Sequence, residues 1–203
     1  MKIILDLDST LCQFAEAWLQ WLFDTGRTET LLNTNDVLTY YHYTEISKDA
    51  KKFFRDNPLH LYEHMKPYPG AAEFINFCKE NYQSVSILTH SDDPRTTKAK
   101  ILFCNEHFDM YHINFVDKVH DKYKHTSGAV LVDDYPFTII NHIAKNETYG
   151  IIFDWQRSFG WSKISSYKDL IKEVNPDLSF IHAAWDYEDV KQHLEFIKRM
   201  RDK

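Results

Sequence analysis

The run MKIILDLDST ends in two aspartates one residue apart, Asp6 and Asp8, with Thr10 close behind. Carboxylates this close repel each other and lose hydration unless a cation, a proton or hydrogen bonds compensate. Hard oxygen donors of this kind suit Mg²⁺, which keeps several of its own waters. They also allow a division of roles, with one carboxylate kept ionised as a nucleophile while the other carries a proton as acid and then base. A second acidic pair, Asp133 and Asp134, ends the run AVLVDDYP. In ILTHS, Thr89, His90 and Ser91 follow an apolar stretch, where a hydroxyl and free backbone N–H groups suit phosphate oxygens. HDKYKH offers two lysines, Lys122 and Lys124, either of which could reach a phosphate and steady Asp6. Acids converging in this number on one edge require a cation.

These groups need elements to bring them together. KIILDL (2–7) is apolar without alternation, which predicts a strand buried on both faces. SVSIL (84–88), INFV (113–116), AVLV (129–132) and YGIIF (149–153) repeat the pattern with helical stretches between most of them. That alternation predicts an α/β fold, a doubly wound, Rossmann-like parallel sheet of about five strands, with ligands at the carboxyl ends of the strands. Pro67, Pro69 and Gly70 precede a helix in which Phe74, Phe77 and Cys78 share a face. Asp93 with Pro94 forms a cap and first-turn proline, and Pro136 starts another helix in the same way. Between the first strand and Pro67 lie roughly 55 residues without a strand, too many for an ordinary connection. They are expected to form a small helical cap inserted after the first strand. Phe14, Trp18, Trp21 and Leu22 recur in it at helical spacing, and KDAKKFFRDN predicts a second helix. The expected division is a core of 1–13 and 67–174, a cap of 14–66 and a C-terminal helical extension of 175–203. Val190, Leu194 and Ile197 form a stripe on that extension, to pack on the domain or on a second copy in a homodimer.

Composition bounds the partners. The chain has 203 residues, 43% of them hydrophobic, and a net charge of −6, so it should bury a core and form no stable nucleic-acid complex, while a local pocket for one phosphate remains open. Its cysteines, Cys12, Cys78 and Cys104, lie far apart and suggest reduced thiols rather than a disulfide framework or a zinc knuckle. No apolar run approaches the roughly 20 residues of a membrane span. The first strand starts at Lys2, leaving no room for a leader, so a cytoplasmic location is expected.

DLDST, ILTHS, a lysine in HDKYKH and VLVDDYP, in that order at strand ends, resemble the four motifs of the haloacid dehalogenase superfamily of phosphatases. Within it the chain is most similar to the 5'(3')-deoxyribonucleotidases, through the helical insert, KPYPGAAEFINFCKENYQSVSILT, the acidic pair followed by proline, and GIIFDWQRSFGW. The likeness spans roughly residues 1–172, with Ser9 standing where those enzymes usually carry glycine and Thr10 where several carry valine. It implies a Mg²⁺-dependent phosphomonoesterase for nucleoside monophosphates. Asp6 would attack phosphorus to form an aspartyl-phosphate, and Asp8 would protonate the leaving alcohol and then activate water. Thr89 and Lys122 would hold the phosphate, with His90 beside them. Lys122 is preferred to Lys124 because HDK matches the family's local pattern. Asp6, Asp8 through its backbone carbonyl, and Asp133 would bind the metal, with Asp134 in support. Phe14, Trp18 and Tyr40 are candidates for stacking on a base.

Other readings remain at this point. HLYEH (60–64) fits a zinc-protease pattern, H-x-x-E-H, but Pro58 and Pro67 leave barely two turns for it. A phosphate-binding protein without turnover would have no use for an intact nucleophile. Another phosphomonoester, a sugar phosphate or a nucleic-acid 3'-phosphate, would need the same core chemistry.

Overall fold

A computed structural model describes residues 1–32, 58–111, 113–154 and 167–202. The apolar runs become parallel strands: β1 (Lys2–Leu5), β2 (Ser84–His90), β3 (Ile113–Val116), β4 (Ala129–Asp133) and β5 (Gly150–Phe153). A further strand, β6 (Ile181–Ala184), pairs with β5 and makes a six-stranded sheet in the order β3-β2-β1-β4-β5-β6. It arises inside the segment expected as a helical extension. IHAA is short, poor in β-branched residues and carries a histidine, so local pattern alone does not mark it as a strand. Pairing with β5 decides it.

Alternate residues of each central strand face opposite layers. Ile3, Leu5, Val130 and Val132 belong to one apolar cluster, and Ile4, Ala129 and Leu131 to the other. The first layer is completed by α3 (Ala71–Asn81), α4 (Pro94–Phe108) and α7 (Tyr187–Arg201), the second by α5 (Pro136–Asn146) with α6 (Lys168–Val174) beside it. This two-sided burial is the reason for the unbroken apolar runs. The helix starts carry the chemistry read from the sequence: Asp93 accepts from the Arg95 N–H ahead of Pro94, and Gly70 takes a left-handed conformation (φ 84°) before α3.

Two helices of the expected cap are described, α1 (Phe14–Asp24) and α2 (Pro58–His64). Phe14, Trp18, Leu61 and Tyr62 join the same buried cluster as β1. Tyr40 and KDAKKFFRDN lie outside the described residues. The stripe on α7 is fully buried, and Tyr187 at its start stacks between Phe74 and Phe153 with centroids 4.9 and 5.0 Å away. Among the described residues no helix is long and apolar enough to cross a membrane.

Candidate active site

Strand register builds the site. Leu5 stands opposite Val132, so the next residues, Asp6 and Asp133, leave adjacent strands side by side. The Asp6 N–H still donates to the Val132 carbonyl at 2.9 Å. β1 and β4 are also where the sheet order reverses, the place where open α/β sheets bind ligands. After Asp6 the chain turns sharply, with Ser9 in the left-handed region (φ 56°), a conformation that glycine adopts without strain. Leu11 and Cys12 both donate backbone N–H groups to the Leu7 carbonyl and close this turn.

Lys122 sits in a 3-10 turn, Val119–His125, and is 3% exposed. Its Nζ lies 2.7 Å from Asp133 Oδ2 and 2.8 Å from Asp6 Oδ1. Burial alone would weaken this ammonium, but Asp133 and Asp6 outweigh it and hold its pKa above the usual lysine value. Lys124 points to solvent and pairs with Asp121 at 2.7 Å. Burial pushes the Asp133 carboxyl above its usual range, Lys122 opposes the rise and Asp6 adds to it. The buried cysteines offer no nucleophile: burial raises the Cys12 thiol, with Asp8 adding to it, and pushes Cys78 and Cys104 up to about 12.

Asp8 is held from two sides. Lys100 of α4, 2% exposed, donates to Asp8 Oδ2 at 2.7 Å, to Thr89 Oγ1 at 2.8 Å and to the His90 carbonyl at 2.7 Å. Tyr62 of α2 donates its hydroxyl to Asp8 Oδ1 at 2.7 Å. Sequence reading missed both residues. A signal for Lys100 existed, because it shares a helical face with Thr96, Ala99, Phe103 and Cys104, where a buried lysine must have partners. Tyr62 sits inside HLYEH, whose histidines drew attention instead. On α2, Leu61 and Tyr62 are buried while His60, Glu63 and His64 are exposed on the other side.

A cleft of about 170 Å³ opens over these groups, lined by Asp6, Asp8, Thr89, His90, Lys122 and Asp134. Phe14 and Ser9 also border it, as do His120 and Tyr135, which the sequence did not single out. His90 Nε2 lies 3.0 Å from the Asp117 carbonyl; a carbonyl only accepts, so that nitrogen carries the proton. Trp18 does not line the cleft. It is 4% exposed and packs in the core against Phe14 and Trp21, since the helical period of α1 turns it inward.

Oxygens of Asp6, Asp133 and Asp134 come within 4.8 Å of one another, and all are hard donors of the kind Mg²⁺ takes. Asp6 Oδ1 is buried and, although close to Lys122, accepts no aligned hydrogen bond, which leaves a lone pair for a cation. The donor set fits the metal. The Asp8 carboxylate stands outside this group, engaged by Lys100 and Tyr62, so only its backbone carbonyl is available to join.

Known proteins share this fold. Solved structures similar over nearly the whole chain include a HAD family hydrolase from Deinococcus radiodurans with bound phosphate and sodium (TM-score 0.63, 11% identity, covering 97% of this chain and 96% of that one). A HAD hydrolase from Bacillus subtilis bound to magnesium (0.60, 14%, 95% and 97%) and a hydrolase from Pseudomonas syringae (0.56, 16%, 97% and 99%) are also similar. At such identities they speak for the fold. No curated protein matches. The family model described as 5' nucleotidase, deoxy (pyrimidine), cytosolic type C protein matches residues 1–172. With this match over most of its length, a HAD-type sheet and two acid-bearing strand ends meeting at the switch point, the chain belongs to that phosphatase family.

Proposed function

We propose that this phosphatase hydrolyses nucleoside monophosphates, deoxyribonucleotides among them, through an aspartyl-phosphate on Asp6. The observation that carries the reading is the meeting of Asp6, Asp8, Thr89 and Lys122 around one cleft. An oxygen of Asp6 attacks phosphorus as the ester P–O bond breaks, and Asp8 delivers a proton to the departing alcohol. Water then attacks the same phosphorus, Asp8 takes its proton, and the bond to Asp6 breaks to release inorganic phosphate. Lys122 and the Thr89 hydroxyl balance and orient the phosphoryl oxygens. Mg²⁺, held by Asp6, Asp133, Asp134 and the Asp8 carbonyl, would neutralise charge on the phosphoryl group. Phe14 borders the cleft as a surface for the nucleoside. The family's cytosolic description supports a cytoplasmic location.

The test is phosphate release from a panel of 5'- and 3'-mononucleotides and sugar phosphates, with Mg²⁺ and with a chelator. Mononucleotides should turn over fastest, and the chelator should stop the reaction. Preference for sugar phosphates would reject the substrate, and full activity in chelator would reject the metal. Asp6→Asn should abolish turnover by three or more orders of magnitude and leave the fold intact; retained hydrolysis would show that the nucleophile lies elsewhere.

A further inference from the structure

We infer that Lys100 and Tyr62 are positioning residues that hold Asp8 as the base for the second half of the reaction, an inference that rests on the proposed aspartyl-phosphate route. Each Asp8 oxygen accepts one short hydrogen bond, Oδ2 from the Lys100 ammonium and Oδ1 from the Tyr62 hydroxyl, both at 2.7 Å. With a donor on each oxygen, the Asp8 side chain is fixed in orientation at the cleft, where it can take the proton of attacking water. The two donors come from different parts of the chain. Tyr62 lies 54 residues away on the segment returning from the insert, and Lys100 lies 92 residues away on the helix that follows Thr89.

Lys100 does more than neutralise Asp8. Its other bonds go to the Thr89 hydroxyl and the His90 carbonyl, so all of its bonds end on the site. Because Thr89 Oγ1 accepts from Lys100, the threonine's own proton is left to point at a phosphoryl oxygen. An ammonium 2% exposed on an apolar helix face is a poor choice for stability, since a hydrophobic residue of similar volume would do as well there. The arrangement makes sense as a brace. One lysine fixes the orientation of both the base and a phosphate ligand, while Lys122 serves Asp6 and Asp133 on the opposite side.

The experiment uses p-nitrophenyl phosphate, whose leaving group needs no proton, so formation of the phosphoenzyme does not depend on Asp8 but its hydrolysis does. Rapid mixing of full-length wild type, Lys100→Met, Tyr62→Phe and an Asp8→Asn control reads both halves. Lys100→Met should release about one equivalent of nitrophenolate in a fast burst and then turn over roughly 10²-fold more slowly than wild type, with phosphate retained on acid-quenched protein. Tyr62→Phe should show the same pattern with a smaller loss, roughly 10-fold. Should Lys100→Met fail to fold, as judged by its thermal melt, Tyr62→Phe carries the test. A slower reaction without a burst, or wild-type turnover in both variants, overturns the inference while Asp8→Asn still traps the phosphoenzyme. If Asp8→Asn traps no phosphoenzyme either, the proposed aspartyl-phosphate route falls, and this inference with it.

Discussion

Lys122 and Lys124 share one 3-10 turn, yet their surroundings assign them opposite consequences. Removing the Lys122 ammonium leaves Asp133, with no exposed surface, and Asp6 without their cation. Lys122→Met should therefore lose turnover and about 3–5 kcal/mol of stability in chelator, and Mg²⁺ should restore part of that stability. Lys124→Met breaks only an exposed pair with Asp121 and should leave both stability and activity as in wild type. Urea titrations with and without Mg²⁺, beside phosphate-release assays, check both. Similar effects of the two substitutions would mean that the wrong lysine has been placed in the site.

Two contacts show how the elements hold the site in place. Gly150 opens β5 directly beneath α5, where an added Cβ would lie 2.8 Å from Ile139 Cγ2 and 3.3 Å from Ile143 Cδ1. Ile139 Cγ2 branches next to the backbone and cannot swing away, so Gly150→Ala should cost about 1–3 kcal/mol by overpacking. Chemical denaturation measures it; an unchanged midpoint would mean that α5 shifts freely on the sheet. At the other end of the chain, the Tyr187 hydroxyl donates to the Thr10 carbonyl at 2.8 Å. A helix beyond the stretch that matches the family thus grips the turn that follows Asp8. Tyr187→Phe keeps the stack between Phe74 and Phe153 and should cost about 1 kcal/mol, whereas Tyr187→Ala should cost about 3–5 kcal/mol. Thermal melts of the pair separate the bond from the packing. Equal losses would show that the hydrogen bond alone matters.

The whole molecule should respond to acid partly through buried histidine. Burial holds His142 down to about 4, with the Tyr149 carbonyl opposing and Arg201 adding to the fall. Its Nε2 lies 3.1 Å from that carbonyl and must carry the proton, while Nδ1 meets the Thr126 hydroxyl at 2.7 Å. Unfolded, the ring titrates near 6.5. Between about 4 and 6.5 the unfolded chain binds more protons than the folded one, so this group's contribution to stability is lost as pH falls through that window. His182, held down to about 4 by burial and by His193, acts in the same sense, and Asp133, held high by burial, acts in the opposite one. Comparison with a variant isolates the histidine. His142→Gln should be less stable at pH 7 and should lose about 2–3 kcal/mol less than wild type on going to pH 4.5, as read by urea unfolding at each pH. Parallel losses would show that His142 does not carry the acid response.

Residue order and local pattern alone determined much of this protein. Unbroken apolar runs announced strands buried on both faces, Asp93-Pro94 and Pro136 announced helix starts, and acids following two of those runs announced carboxylates gathered at adjacent strand ends. Such signals are legible because caps, periodicity and strand ends are written within a few neighbouring residues. Tertiary structure decided the rest. It set Lys122 against Asp6 and Asp133 and Lys124 against exposed Asp121, turned Trp18 into the core, brought Lys100 and Tyr62 onto Asp8, and made IHAA a strand by giving it β5 as a partner. Each of these depends on contacts between residues far apart in the chain, and only the register of the sheet and the packing of helices on its faces determine which of them meet.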